Sequence, residues 1–210
     1  MSRLFSFFRF NKPLFVRALL LSSPIMLGSL GIVLMGVTDV LMLGKYSPED
    51  QSAAAVSNGL FFLVTIFGMG VLFAISALIS NAIGEKNKKV VFSIFQKGII
   101  VSILMALVSV VLLILVSENF TILKQDESIV PQGVAYLRMV ALSVFPLYLF
   151  VAARQLTDGL GFTGPALYVT LLALPLNIFA NYIFIYGNFG GNEMGAEGAA
   201  FASLITRSFM

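Results

Sequence analysis

The segment PIMLGSLGIVLMGVTDVLMLG, residues 24–44, decides what kind of protein this is. It is apolar over a length that matches the roughly 20 residues a helix needs to cross a bilayer. A single charged side chain, Asp39, interrupts it. A carboxylate in such a run is costly, and intramembrane acids are kept where they handle ions or substrates. Asp39 stands six residues before Lys45. At 1.5 Å per residue that places it about 9 Å below the following loop, in the outer part of the membrane. A carboxylate there is suited to take up a proton or to ligate Na⁺.

The composition extends this reading to the whole chain. Of its 210 residues, 59% are hydrophobic and 11% are charged, and the mean hydropathy is +0.98. Soluble domains carry about 25% charged residues, so lipid must solvate much of this surface. The chain has no Cys and no His. That removes thiolate metal sites, a Ser-His-Asp triad and the usual general base, and speaks against an enzyme. A net charge of +3 fits basic loops rather than nucleic-acid binding. The N-terminal basic residues Arg3, Arg9, Lys12 and Arg17 precede an apolar run too long for a signal peptide, so the first helix is expected to stay.

Hydrophobic runs place helices at about 13–43, 52–83, 90–116, 132–156, 166–186 and 199–210. The last is too short to span. The expectation is an all-α polytopic membrane protein with five full spans and a truncated sixth, one piece of a longer chain. Residues 1–12 alternate Phe with Arg and read as a tail on the cytoplasmic membrane surface. Bases concentrate in that tail, in the loop at 84–89 and at the end of the fourth helix. This asymmetry predicts a cytoplasmic N-terminus. Tyr46, Tyr136 and Tyr186 fall near outer helix ends, where tyrosine anchors to headgroups.

Other interior polar residues are few. Asn177 and Asn181 lie four apart, on one face of the fifth helix. They can supply neutral oxygen ligands or bind helices together. Pro175 frees the Leu171 carbonyl, and Pro24 permits a bend in the first helix. Gly28, Gly31 and Gly36 allow a neighbouring helix to come close. Thr38, Asn58 and Thr65 are candidates to line a substrate cavity, with abundant Met and Phe as its apolar wall. Arg138, Arg154 and Gln155 read as helix-end residues whose long side chains reach the interface. Asp158 falls in a Gly-rich turn, which leaves Asp39 as the single acid placed inside the lobe.

Several strings, taken in order, carry a family resemblance. They are Ser23-Pro24, the run 38–44 (TDVLMLG), 80–84 (SNAIG), Gln96 with Gly98, and Asp158-Gly159 before Pro165. The longest are 176–187 (LNIFANYIFIYG) and 194–200 (MGAEGAA). From about Leu20 onward the chain resembles the N-terminal half of a multidrug and toxic compound extrusion (MATE) transporter of the NorM-like branch. The resemblance implies a twelve-helix, two-lobe antiporter, of which this is the six-helix N-lobe. It implies export of cationic or amphipathic compounds in exchange for Na⁺ or H⁺, without a cofactor, and a C-terminal lobe as partner. Asp39 matches the acid of the N-lobe cation site, and Asn177 a neighbour of it. Asn181 stands where some relatives carry Asp, which leaves one carboxylate fewer. Alternatives are a related flippase for lipid-linked saccharides, which calls for a larger and more basic cavity, and a non-transporting scaffold, which has no need of Asp39 or the Asn pair.

Overall fold

The computed structural model describes residues 12–123 and 125–210, so the proposed tail lies almost wholly outside the described residues. The described residues form seven α-helices and two short 3₁₀ turns, without a strand among them. The helices are α1 Lys12–Leu43, α2 Pro48–Gly84, α3 Lys88–Glu118, α4 Val130–Leu142, α5 Val144–Gly159, α6 Gly164–Phe184 and α7 Gly195–Phe209. Four of them contain spans long and apolar enough to cross a membrane, at Leu19–Leu43, Pro48–Gly84, Lys88–Glu118 and Gly164–Phe184. The pair α4 and α5, bent by 42° at its break, is long and apolar enough for a fifth when taken together. Counted as one span, that pair keeps the order of six apolar segments; α7 has 15 residues.

The bend corrects the expectation of one continuous helix over 132–156. Pro146 has no N–H for the Leu142 carbonyl and its ring crowds the preceding turn. Ser143 then takes over the geometry. Its N–H bonds Val140 O at 3.0 Å in a tightened turn, its hydroxyl donates to the same carbonyl, and the helix resumes with Leu147 N–H on Ser143 O at 3.1 Å. By contrast α1 and α6 run on through Pro24 and Pro175 as single helices. The start of α2 also differs, beginning at Pro48 rather than at 52. The sequence SPED explains this. Ser47 caps the helix by accepting the Asp50 N–H at 3.2 Å, Pro48 fills the first position, and two acids occupy the first turn.

Helix α2 is the central post, packed by α3, α4 and α5, while α1 lies between α2 and α6, and α7 between α6 and α4. Leu72, Ile79, Leu113, Leu137, Val140 and Tyr148 are fully buried along these contacts. The outer faces of α1, α2 and α3 expose Leu20, Phe67 and Val111, as lipid solvation requires. On α1 the buried stripe steps by about four residues through Gly31, Met35, Asp39 and Leu43, and so Asp39 points inward. Gly31 sets the approach of α1 to α6: a Cβ there would fall 2.6 Å from Thr170 Cγ2. Gly28 has ordinary room and Gly36 faces nothing within 4 Å, so only one of the three glycines is needed for that approach.

One of the three tyrosines departs from its expected belt position. Tyr46 and Tyr186 pack edge-on with ring centres 6.2 Å apart, and the Tyr186 hydroxyl bonds Met42 O at 2.7 Å. Tyr136 is instead wholly buried, because α4 faces the core, and its hydroxyl donates to Asn58 Oδ1 at 3.1 Å.

Candidate functional site

Three helices meet at Asp39, which is 1% exposed. Helix α6 turns both asparagines onto it. Asn181 Nδ2 donates to Asp39 Oδ1 at 2.6 Å, and Asn177 Nδ2 donates to the same oxygen at 3.1 Å. Asn181 Nδ2 also lies 3.4 Å from Asn177 Oδ1. From α7, the Ser203 hydroxyl donates to Asp39 Oδ2 at 2.7 Å. All four residues are at most 2% exposed. Three neutral donors therefore cover both carboxylate oxygens, which is what a buried acid requires when it lacks an ion pair.

The spacing of four that placed Asn177 and Asn181 on one face is what lets a single carboxylate bond both. Ser203 was not singled out in the sequence. Its only signal is that it follows the small residues Gly198, Ala199, Ala200 and Ala202, which let α7 pack closely against its neighbours. The N-terminus of α7 is held by an acid from another helix. Asp50, on the first turn of α2, accepts the Ala196 N–H at 2.8 Å, beside Gly195 at φ +52°. A side chain at Gly195 would collide with that carboxylate.

Asn181 Oδ1 is buried and has no hydrogen-bond partner. An orphaned amide oxygen next to a carboxylate is a donor set suited to a small cation. Asp39 supplies charge, and Asn177 and Asn181 supply neutral oxygens. The Leu171 carbonyl, six residues before Asn177, plays no part in the bonds around Asp39.

The remaining polar candidates divide. Thr38 is half-buried beside Asp39. Asn58 holds the Tyr136 hydroxyl and keeps a buried, unpartnered Nδ2. Thr65 is turned into a helix contact. It is 1% exposed, its hydroxyl bonds Phe61 O at 2.7 Å, and its own carbonyl accepts from Tyr148. Its threonine character is spent inside the α2–α5 contact.

Arg207 was missed altogether. One turn beyond Ser203 on α7, its guanidinium lies 4.4 Å from the Phe61 ring centre and donates to the Ser143 hydroxyl. It interacts electrostatically with Asp39 and with Tyr136. The break between α4 and α5 is thus tied to the helix that carries Ser203. The expectation that Asp39 is the single interior acid also fails. Helix α5 extends to Gly159, so Asp158 is on a helix rather than in a turn; the residue is half-buried, and its side chain, 8% exposed, pairs with Arg154. Arg154 and Gln155 are buried too.

The MatE family model matches residues 24–183. The chain belongs to the MatE family. The probable multidrug resistance protein NorM of Bacillus licheniformis is 34% identical over 188 residues, 87% of this chain and 41% of that protein. The multidrug resistance protein NorM of Vibrio cholerae is 30% identical over 186 residues, 88% of this chain and 40% of that protein. A crystal structure of MATE in the bent conformation superposes with a TM-score of 0.84 at 21% identity, over 92% of this chain and 42% of that one. An outward-facing multidrug resistance MATE family transporter superposes at 0.79 with 23% identity, over 91% of this chain and 41% of that one. The chain thus spans about two fifths of the length of these relatives. The fold of this MatE chain is that of one helical portion of a MATE transporter, and the sequence resemblance to NorM-type proteins holds along most of its length.

Proposed function

We propose that this MatE chain forms the N-terminal lobe of a secondary antiporter in a bacterial-type plasma membrane, with its N-terminus in the cytoplasm. The antiporter exports cationic or amphipathic compounds in exchange for Na⁺ or H⁺, and Asp39 is the coupling carboxylate. The observation that carries this reading is the bonding of Asp39: a fully buried acid, held by three neutral donors, with an unpartnered amide oxygen beside it. The names of the NorM relatives support the efflux part.

Neutral donors are exchangeable in a way that a guanidinium is not. Turning the Asn181 amide over replaces its N–H on Asp39 with its oxygen, so a cation arriving at Asp39 meets the carboxylate and an amide oxygen where a donor stood. A proton arriving at Asp39 instead removes the charge and weakens the grip of the same three donors. Either event loosens or remakes contacts between α1, α6 and α7. Coupling follows if the two conformations of the lobe differ in cation affinity, because a ligand shifts an equilibrium only through such a difference. Helix α1 lacks one backbone bond at Pro24, and α4–α5 is already bent at Ser143; these are the places where the change is absorbed. A C-terminal lobe completes the substrate cavity.

The test is countertransport by the full-length protein in liposomes. Export of a fluorescent organic cation is measured under an imposed inward Na⁺ gradient, an inward H⁺ gradient, and neither. The reading expects one gradient to drive uptake of its ion and efflux of the dye together. Equal dye movement in all three conditions sinks it.

A further inference from the structure

Inside the lobe two arginines act on acids in different ways, Arg154 buried and Arg207 half-buried. Arg154 Nε lies 3.5 Å from Asp158 Oδ2, and its Nη2 donates to Ile25 O at 2.7 Å and to Ser29 Oγ at 3.1 Å. That guanidinium is in contact with its acid and fixed. Arg207 stands one helical turn, about 6 Å, beyond Ser203 on α7. Ser203 bonds Asp39 Oδ2 at 2.7 Å, but the Arg207 guanidinium is bonded elsewhere.

Two groups hold it away from Asp39. Phe61 of α2 presents its ring face, with the guanidinium carbon 4.4 Å from the ring centre, and the Ser143 hydroxyl accepts from Nη1. Ser143 is free to accept because its own proton is on Val140 O. Phe61 and Ser143 are both buried, so the tether is built into the packing of α2 and of the break between α4 and α5. The charge nevertheless reaches the carboxylate. Among the described residues, Arg207 is the charged group that acts on Asp39 through space. Asn177, Asn181 and Ser203 give Asp39 bonds without charge. Arg207 gives it charge without a bond. An arginine stays ionised throughout the working pH range, so its field is constant.

We propose that Arg207 is a built-in counter-charge that sets how tightly Asp39 takes up a cation. With the site empty, the two charges offset each other across the gap. An arriving cation works against the guanidinium, so its binding is weakened and its release eased. Direct contact would instead block exchange, since an acid paired as Asp158 is leaves its partner uncompensated when it is neutralised. Phe61 and Ser143 prevent that collapse. The inference rests on the exchange reading of Asp39 and adds the residue that tunes it.

The test uses the full-length protein. Arg207→Gln removes the charge and keeps an N–H for Ser143, while Arg207→Lys keeps the charge. Dye efflux from liposomes is recorded against rising Na⁺ and, separately, rising H⁺. Unit charges about 10 Å apart in a partly buried setting alter each other's ion binding by about ten-fold. The half-maximal concentration of the driving ion is therefore expected to fall about ten-fold in Arg207→Gln and to stay within about three-fold of wild type in Arg207→Lys. If both variants lower the maximal rate and leave that concentration where it was, Arg207 only ties α7 to the break and the proposal is wrong. Ser143→Ala loosens the tether and lets the guanidinium approach Asp39. It is expected to raise the same concentration about three-fold, and it decides the matter if Arg207→Gln does not fold, with no rise counting against the proposal. Equilibrium unfolding in bicelles of wild type, Asp39→Asn, Arg207→Gln and the double variant reads the charge coupling without any gradient. A coupling of about ten-fold in the unfolding constant is expected, and additivity within about two-fold overturns the proposal whatever the efflux shows. If the cycle couples while wild-type efflux responds to neither gradient, the exchange reading fails and the counter-charge assignment stands.

Discussion

Asp39 has both oxygens bonded to Asn177, Asn181 and Ser203, neutral donors from two other helices. Asp158 has one oxygen on Arg154 of its own helix and the other on nothing. Both acids lie in the same lobe, Asp39 buried and Asp158 half-buried, yet they have been stabilised by different means. A charge balanced by a guanidinium is fixed, because removing either partner leaves the other buried and uncompensated. A charge bonded by amides and a hydroxyl, with the Arg207 guanidinium acting on it only through space, can lose its charge, or gain a cation, while its neighbours rotate and remain satisfied. The first arrangement builds a wall; the second builds a site whose occupancy can vary. Asp50 is a third case, an acid used as a structural cap on α7.

This contrast can be broken by mutation, beginning with the fixed pair. Arg154→Met removes the guanidinium and strands Asp158, and also frees Ile25 O and Ser29. Unfolding by steric trapping in bicelles is expected to show a loss of about 3–5 kcal/mol, and the double variant Arg154→Met/Asp158→Leu to recover most of it. If Arg154→Met is neutral, the two acids are not different in kind. Ser203→Ala comes next. It removes a donor from an ionised carboxylate, with an expected cost of about 1.5–3 kcal/mol. In an Asp39→Asn background the same change is expected to cost no more than about 1 kcal/mol, so a double-mutant cycle reads the charge on Asp39 directly. The smallest effect is that of Asp39→Asn itself. Its amide oxygen keeps the bonds from Asn177 and Asn181, its N–H₂ donates to a rotated Ser203 hydroxyl, and stability changes by about 1 kcal/mol or less.

Much of the lobe was legible in the sequence, because a bilayer imposes strong constraints. Apolar runs of sufficient length mark the spans, and an acid inside one of them is conspicuous. The i, i+4 pair Asn177 and Asn181 follows from helix geometry alone. What escaped depends on contacts between distant segments. Ser203 is one serine in a run of small residues, and nothing local marks it as the partner of a residue 164 positions away. Pro146 looks like Pro24 and Pro175 in sequence, yet only it coincides with a break, because Ser143 can capture the Val140 carbonyl. Asp158 reads as a turn residue until Gly159 lets α5 run on against α2, where a Cβ would come 2.8 Å from Ser76 O. Tyr136 sits at a belt position by counting along α4, and only the packing of that helix against α2 and α7 turns it inward.

The proposed role of Asp39 is to couple ion and substrate movement. The most direct measurement is ion-driven efflux by full-length Asp39→Asn protein in liposomes, with unfolding stability recorded on the same preparation. If Asp39 couples the two, the variant stays folded within about 1 kcal/mol of wild type and the Na⁺ or H⁺ gradient no longer accelerates efflux. A folded variant whose efflux still responds to the gradient at the wild-type rate would contradict it.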